Sequence, residues 1–337
     1  MEIPNQLGSR EDRLKSILVV VVNYRVGELT IECLRSLESQ VAAQSGSRVV
    51  VVDNDSGDGS GEGIAREIER CAWGDWARLV PAPSNVGFAA GNNLGYRTGR
   101  AWLGDSRPDY VFFLNPDTVL RENALRILSD FLDQHSKAGI VGGRSEDPDG
   151  TPQHCCFRFP SCSNELASNL HVGIVDRLLR KWIARVPISD LPHPIGWVSG
   201  AAMMVRTEIV ETLGLFDEKY FLYYEETDFI LRARRAGWNC WHVPQSRIVH
   251  LVGYSSGVTV RHRRPGRKPK YWFDSRRRYF VKNHGAFYAA AADAAAIAGA
   301  TLGALRNILS GREKTHPPCF IRDLVRNSVF LTGTRLA

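Results

Sequence analysis

Short, continuous apolar runs, each ending in a polar residue, dominate the first third of the chain. The run ILVVVV covers residues 17–22, VVVV covers 49–52 and YVFFL covers 110–114. Each run has the length of a strand and lacks polar alternation, which is typical of strands buried on both faces of a parallel sheet. Helical spacing of apolar residues separates them. The sequence therefore predicts an α/β fold with an open, mostly parallel sheet and flanking helices.

Other segments extend this strand–helix alternation. Helices are predicted at 29–37, near 62–71, and at 87–103, 122–132, 207–213 and 225–236. Further strands are predicted at 79–80, 197–205 and 240–243. The stretch 144–196 is rich in Pro, Ser and Cys, so we expect loops and short helices there.

Cysteine spacing and the two ends of the chain exclude several classes. Seven cysteines are present, but none form a C-x-x-C pair, so reduced thiols are predicted rather than a disulfide framework or a zinc site. Residues 1–16 are polar and mixed in charge, unlike a secretory signal. The Ala-rich stretch 286–309 contains Asp293, Arg306 and Asn307. A packing or amphipathic helix is therefore predicted there rather than a membrane-spanning one.

The positive charge of the chain is local. The formal net charge is +7, and residues 261–282 hold ten Lys or Arg residues with Asp274 as the sole acid. Such a segment suits an anionic membrane surface or a diphosphate, and a solvated arm is the alternative. Nucleic acid is not predicted as a partner, because no nucleic-acid module is recognisable around the charge.

Two acids follow the second apolar run. Asp53 and Asp55 stand at the predicted carboxyl end of a strand, where ligands bind in open α/β sheets. A carboxylate there can accept hydrogen bonds from a ribose or a base N–H. The glycines of the following loop lack the G-x-G-x-x-G spacing, so a dinucleotide site is excluded. A plain polar turn remains the alternative.

The predicted helix at 87–103 carries a stripe of glycines. Gly87, Gly91, Gly95 and Gly99 recur every four residues. Each glycine destabilises a helix by about 1 kcal/mol relative to Ala, so the stripe requires a reason. We expect tight packing at Gly95 and Gly99 and close approach of a ligand at Gly87 and Gly91. The neighbouring asparagines would supply polar contacts, namely Asn85, Asn92 and Asn93.

Three acids open the predicted helix at 225–236. Glu225, Glu226 and Asp228 lie in its first turn, where acids also stabilise the helix dipole without any function. The aromatic residues just before them, including Tyr223 and Tyr224, favour a sugar site instead. A carboxylate at the positive helix end is expected to stay ionised, which suits a general base.

The stretch FLNPDT, residues 113–118, ends the third apolar run on a rigid turn with one carboxylate. A loop explains it, and so does a metal. Asp117 together with His250, which follows another β-type run, makes a sensible ligand set for a divalent metal.

Taken in order, these motifs resemble family-2 glycosyltransferases of the GT-A fold, and most closely the bacterial rhamnosyltransferases of polysaccharide synthesis. The resemblance spans about residues 17–257. It is carried by VVVVNYR (19–25), VVVVDNDS (49–56), NVGFAAGNNLG (85–95), FFLNPDT (112–118), WVSGAAMMVRTE (197–208), FDEKYFLYYEETDF (216–229) and IVHLVGYSSG (248–257).

The resemblance implies a domain organisation. A polar segment at 1–16 precedes a GT-A-like domain at 17–257. Within that domain, 17–143 would form the nucleotide-sugar donor half and 144–257 the acceptor and catalytic half. The basic, Ala-rich and helical extension at 258–337 would contact the membrane surface.

The resemblance also implies site residues. Asp117 and His250 would bind Mg²⁺ or Mn²⁺, although Asn115 replaces the first acid of the family's D-x-D motif. Glu226 would be the catalytic base, with Glu225 and Asp228 as alternatives, because Asp is commoner at position 226. The donor-binding residues would be Asn23, Asp53, Asp55, Asn85, Gly87, Gly91, Asn93 and Asn115. The acceptor-binding residues would be Trp197, Gly200, Ala201, Tyr223 and Tyr224.

The function implied is inverting sugar transfer at the cytoplasmic face of the cell membrane. The donor would be a nucleotide-sugar, dTDP-rhamnose being favoured, and the acceptor a saccharide or a polyprenyl-diphosphate-linked saccharide. Two alternatives remain open: a non-catalytic binding scaffold of the same fold, and a nucleotidyltransferase, since a fold alone does not determine chemistry.

Overall fold

The computed structural model describes residues 15–44, 46–170, 184–251, 266–311 and 316–336 of the chain. Its strands are β1 (Ile17–Asn23), β2 (Arg48–Asp53), β3 (Ala77–Pro81), β4 (Tyr110–Leu114), β5 (Thr118–Leu120), β6 (Ala138–Glu146), β7 (Cys156–Phe157), β8 (His193–Ile195), β9 (Trp197–Val198), β10 (Ala202–Arg206) and β11 (Asn239–His250). Its helices are α1 (Gly27–Ala42), α2 (Ser60–Arg70), α3 (Gly87–Leu103), α4 (Ala124–Gln134), α5 (Cys162–Leu170), α6 (Thr207–Leu213), α7 (Glu225–Arg235), α8 (Lys270–His284), α9 (Ala286–Leu309), α10 (Phe320–Arg326) and α11 (Val329–Thr332).

One large sheet organises the described part of the chain. Its strand order is β3-β2-β1-β4-β10-β6-β11-β5, with β8 also paired to β11. Strands β1 to β4 are parallel, and β6 and β11 run in the same direction as they do. Strands β5, β8 and β10 run in the opposite direction. The predicted open, mostly parallel sheet with flanking helices is confirmed.

Both faces of this sheet are covered. Side chains of β1 alternate between two apolar clusters, with Ile17, Val19 and Val21 in one and Leu18, Val20 and Val22 in the other. This two-sided burial explains why the run lacks polar residues. The parallel direction of β1, β2 and β4 also brings their carboxyl ends to one edge, where polar residues follow each strand.

The glycine stripe packs α3 against β1. A Cβ added at Gly95 or Gly99 would meet the side chain of Val20 or Leu18, as predicted. Gly91 has the same role, because a Cβ there would approach Val22 to 3.0 Å. This packing accounts for Gly91 without the ligand that we expected at this position.

Three strands differ from the prediction. The predicted strand at 197–205 is divided into β9 and β10 by the turn at 199–201, β11 is longer than predicted, and β6 was missed. Gly142 and Gly143 interrupt the run of apolar side chains by which β6 could have been predicted from the sequence. The fold uses both glycines for close packing, because a Cβ at either would collide with Val198 or Ser246.

Most of the described cations in the basic segment 261–282 form ion pairs within the protein. Of its ten cations, Arg261, Arg263 and Arg264 lie outside the described residues. Arg276 is 3% exposed and pairs with Glu165 of α5 and Asp293 of α9. The other paired cations are Arg267, Lys270, Arg277, Arg278 and Lys282. Much of the charge in the described part of the segment therefore holds helices together.

Helix α9 is the one described helix long and apolar enough to span a membrane by length and composition. In the structure it packs against α5, where a Cβ at Gly299 or Gly303 would collide with backbone carbonyl groups. Its Asp293 is buried and also accepts a hydrogen bond from the backbone N–H of Val329. These contacts agree with the predicted packing helix.

Candidate active site

A cavity of about 640 Å³ opens at the carboxyl edge of the sheet. One wall comes from residues that follow β1, β2 and β4, namely Tyr24, Asn54 and Asn115. The same cavity is lined by Glu225 and Glu226, the first residues of α7. Its lining thus combines residues of the sheet edge with the N-terminus of a helix.

Asparagines form the polar corner beside β2. The Nδ2 atom of Asn54 donates to Oδ1 of Asn85 (3.1 Å) and to the carbonyl of Gly87 (3.3 Å). Gly87 has a φ of 82°, and a Cβ there would collide with the backbone of Phe221. A glycine is therefore required at position 87 by the backbone conformation and by packing against Phe221. Asn54 was missed in the sequence, although it lies between the two acids that drew attention.

Asp53 and Asn23 form a buried network behind this corner. Asn23 Nδ2 donates to Asp53 Oδ1 (2.7 Å), and Asn23 Oδ1 accepts from Thr30 (2.9 Å). Ser56 Oγ also donates to Asp53. Asp55 is exposed with a φ of 58°. None of these acids or amides lines the cavity, so their contact with a nucleoside stays a prediction.

Asn93 connects α3 to the segment before α7 from within the core. Its Nδ2 donates to the carbonyl of Phe216 (2.8 Å), and its Oδ1 accepts from the N–H of the same residue (3.1 Å). The side chain is 2% exposed. Asn93 therefore positions the segment that leads to α7, and its predicted donor contact is not supported by this geometry.

Asp117 and His250 lie together as predicted. His250 Nε2 is 3.5 Å from Asp117 Oδ1, and the pairing of β5 with β11 holds the two residues at neighbouring positions. His250 lines the cavity together with Asn115 and Pro116, whereas Asp117 lies behind them and is 1% exposed. The structure thus brings a carboxylate and an imidazole together beside the cavity.

The chain enters α7 through a constrained turn. Tyr223 and Tyr224 both adopt the left-handed conformation, with φ of 71° and 69°. Non-glycine residues rarely adopt it, and such strain often occurs at functional sites. After the turn, Glu225 and Glu226 line the cavity, and Gly200 lies beside the Glu226 side chain.

Burial controls the ionisation of the two glutamates. It raises the pKa of Glu225 well above its usual value, and the charge of Glu226 raises it further. Burial also raises the pKa of Glu226, although backbone N–H groups and a hydrogen bond from Glu225 lower it. Desolvation therefore opposes the ionisation that we expected from the positive end of the helix. Glu226 is the member of the pair that ionises first.

Asp228 lies on another side of α7. Its carboxylate is buried and accepts hydrogen bonds from Tyr220, Lys282 and Asn283, besides pairing with Arg232. It does not line the cavity. The structure therefore favours the two glutamates over Asp228 as candidate bases.

The predicted acceptor residues separate into two groups. Trp197, Gly200, Ala201 and Tyr223 line the cavity, whereas Tyr224 packs against Tyr279 (ring centroids 5.5 Å apart). Trp197 stacks on Phe157, with ring centroids 4.4 Å apart. Several further residues line the cavity that the sequence patterns did not indicate, namely Gln153, His154, Cys155, Phe157, Phe221 and Tyr271.

Comparison with known proteins identifies the family. A family model described as glycosyltransferase like family 2 matches residues 15–279. The chain belongs to glycosyltransferase family 2. The match extends into α8, so it includes Tyr271 of the cavity wall.

Relatives within the family have names that refer to rhamnose. The N-acetylglucosaminyl-diphospho-decaprenol L-rhamnosyltransferase of Mycobacterium tuberculosis is 28% identical over 251 residues, covering 71% of this chain and 77% of its own. The dTDP-rhamnosyl transferase RfbF of Shigella flexneri is 24% identical over 244 residues, covering 72% and 71%.

A solved structure supports the fold. The mannosyltransferase PcManGT of Pyrobaculum calidifontis, in complex with GDP-Man and Mn²⁺, superposes with a TM-score of 0.57 over 94% of this chain and 87% of its own, at 16% identity. The predicted GT-A fold of this family-2 glycosyltransferase is confirmed.

The pH dependence of the free energy of unfolding should report the burial of Glu225. Because the folded-state pKa of Glu225 is raised, its contribution to stability is fully present below the unfolded value near 4.5 and is lost as the pH rises. Glu225→Gln should therefore gain stability relative to the wild type between pH 5 and pH 8. The gain is about 1.4 kcal/mol for each unit by which the pKa is raised. Urea unfolding at both pH values measures it, and an equal difference at both would contradict desolvation of the pair.

Proposed function

We propose that the protein is a metal-dependent, inverting glycosyltransferase of cell-surface polysaccharide synthesis. The observation that carries this proposal is the position of Glu226, which lines the same cavity as Asn115 and His250. A candidate base and a candidate donor site that share one cavity suit direct displacement at a sugar carbon.

Asp117 and His250 fit a divalent cation. Their ligand atoms are 3.5 Å apart, His250 lines the cavity, and a carboxylate oxygen with an imidazole nitrogen suits Mn²⁺ or Mg²⁺. When bound, the cation supplies charge stabilisation for the diphosphate of the donor. Asn115 adds a polar side chain on the same wall without adding charge.

Glu226 is proposed as the base that accepts a proton from the acceptor hydroxyl. That hydroxyl oxygen would attack the anomeric carbon, and the bond to the nucleoside diphosphate would break on the opposite face. Glu225 would hold Glu226 through the hydrogen bond between the two carboxyl groups. Trp197 and Tyr223 would present aromatic surface to the sugar or acceptor.

The names of relatives suggest the substrates. The Mycobacterium tuberculosis relative is named for L-rhamnose and a diphospho-decaprenol acceptor, and the Shigella flexneri relative for a dTDP-rhamnosyl donor. We propose dTDP-rhamnose as the donor and a saccharide, free or linked to a polyprenyl diphosphate, as the acceptor.

A lipid-linked acceptor favours contact with the cytoplasmic face of the membrane. Exposed apolar side chains cluster in the last turns of α9 and in the neighbouring α11, namely Leu302, Leu305, Ile308, Leu309, Phe330 and Leu331. Arg306 lies among them on α9. Exposed apolar side chains with nearby cations suit peripheral binding to an anionic surface.

Product analysis tests the activity. Purified protein with Mn²⁺, dTDP-rhamnose and a polyprenyl-diphosphate-linked saccharide should release dTDP and extend the acceptor, with UDP- and GDP-sugars as controls. Release of pyrophosphate would indicate a nucleotidyltransferase. Donor binding without turnover on any acceptor would indicate a binding scaffold.

The metal role has its own test. Asp117→Asn removes the anionic ligand while keeping the size of the side chain. We expect the Mn²⁺-dependent Kd for dTDP-rhamnose to rise by roughly tenfold or more. Calorimetry with Mn²⁺ and with EDTA measures the change, and Asp105→Asn at an exposed position is the matched control. Equal donor affinity in wild type and Asp117→Asn would rule out the metal role.

A further inference from the structure

A second cluster of metal-ligating side chains lies beneath the cavity wall. Cys155, Cys156 and His242 are each at most 5% exposed, and one ligand atom from each lies within 4.8 Å of the others. The group shares no residue with the Asp117–His250 pair. It is formed by tertiary structure, because His242 comes from β11 and the two cysteines from the segment that enters β7.

The sulfur atoms already have the spacing of two ligands on one ion. Cys155 Sγ and Cys156 Sγ are 3.7 Å apart. Two thiolates on a tetrahedral Zn²⁺ ion, at about 2.3 Å from the metal, lie about 3.8 Å from each other. Binding would therefore require little movement of either side chain.

The imidazole offers a third ligand. His242 Nδ1 is buried and has no hydrogen-bond partner among the described residues. The pairing of β11 with β6 places His242 opposite Gly142 and holds it in the sheet.

We propose that Cys155, Cys156 and His242 bind one thiophilic divalent cation of the Zn²⁺ class, distinct from the donor metal. Two thiolates and one imidazole nitrogen complete three positions of a tetrahedral site, and the two thiol protons are released to solvent. Cys155 also lines the cavity, so the proposed site lies at the cavity wall.

Such an ion would brace the acceptor wall. The carbonyl of Cys155 accepts from the N–H of Ser199 (2.9 Å), in the turn that leads to Gly200 and Ala201. Gln153 Nε2 donates to the carbonyl of His250 (2.9 Å). Linking the cysteines to β11 would therefore fix both the acceptor turn and the strand that carries His250.

Cobalt provides a direct test. Titration of the reduced, full-length protein with Co²⁺ under anaerobic conditions should give a near-ultraviolet sulfur-to-cobalt charge-transfer band that saturates at one equivalent. One equivalent of Zn²⁺ should remove it. Cys155→Ser and Cys156→Ser should each reduce the band, and His242→Gln should weaken Zn²⁺ binding by about tenfold or more in competition with a chromogenic chelator.

Matched controls separate this site from other thiols and from the donor metal. Cys319→Ser changes an exposed thiol and should leave the band intact, as should Asp117→Asn. Absence of the band in folded, reduced wild type overturns the proposal without reference to any variant. So does a band that survives the combined Cys155→Ser and Cys156→Ser changes, or one that is lost in Asp117→Asn. If the cysteine variants fail to fold, unchanged Zn²⁺ affinity in folded His242→Gln overturns it.

Discussion

Glu226→Gln is expected to lower kcat by roughly 10²–10⁴-fold while leaving the Kd for the nucleotide-sugar nearly unchanged. A positioned general base contributes about this factor, and glutamine keeps the shape of the side chain without accepting the proton. Steady-state turnover and calorimetric donor binding measure the two quantities. Full turnover by this variant would remove Glu226 from the mechanism.

Glu225→Gln is the matched comparison. Glu225 is 3% exposed, and it donates a hydrogen bond that lowers the pKa of Glu226. Glutamine can still donate to Glu226, so we expect a loss in kcat below about tenfold, far smaller than that of a lost base. A larger loss in Glu225→Gln than in Glu226→Gln would exchange the two roles.

Arg276→Met is expected to cause the largest loss of stability. The guanidinium donates to Glu165 Oε2 (3.0 Å), to Asp293 Oδ1 and to the carbonyl of Ala292 (3.2 Å), all in the buried interface of α5, α8 and α9. Removing it leaves two buried carboxylates without their counter-ion. Breaking a buried ion pair by deleting one partner typically costs about 3–5 kcal/mol.

Urea unfolding of Arg276→Met against wild type measures this loss. Arg35→Met is the matched control, because Arg35 pairs with Glu32 and Glu67 at the surface, where ion pairs contribute little. A similar change in both variants would contradict the structural role of the buried network. Glu165→Gln combined with Asp293→Asn should recover part of the stability of Arg276→Met by removing the uncompensated charges.

The predictable part of the candidate site follows the strand ends. Asn115 follows β4 and His250 ends β11, and strands that run in one direction present their carboxyl ends at one edge. Asp117 meets His250 through the antiparallel pairing of β5 with β11. The segments 151–157 and 221–224, and Tyr271 in the C-terminal extension, obey no such rule. Their place in the cavity depends on long-range packing, which the local pattern does not contain.

The glycine stripe and the basic segment show the same division. Periodicity indicated that Gly91 was special, but only contact with Val22 decided that a strand, and not a ligand, approaches it. The sequence shows the cluster of positive charge at 261–282. The structure shows that Arg276 of this cluster is buried and is the counter-ion of Glu165 and Asp293.

By itself, the sequence determined the α/β fold, the family resemblance and the order of the motifs, because burial on two sheet faces and the strand-end polar residues leave local patterns. The burial that raises the pKa of Glu225 and Glu226, the ion-pair network around Asp228 and the proximity of Cys155 and Cys156 to His242 became visible only in the folded chain. Those properties depend on desolvation and on distances between residues far apart in the chain.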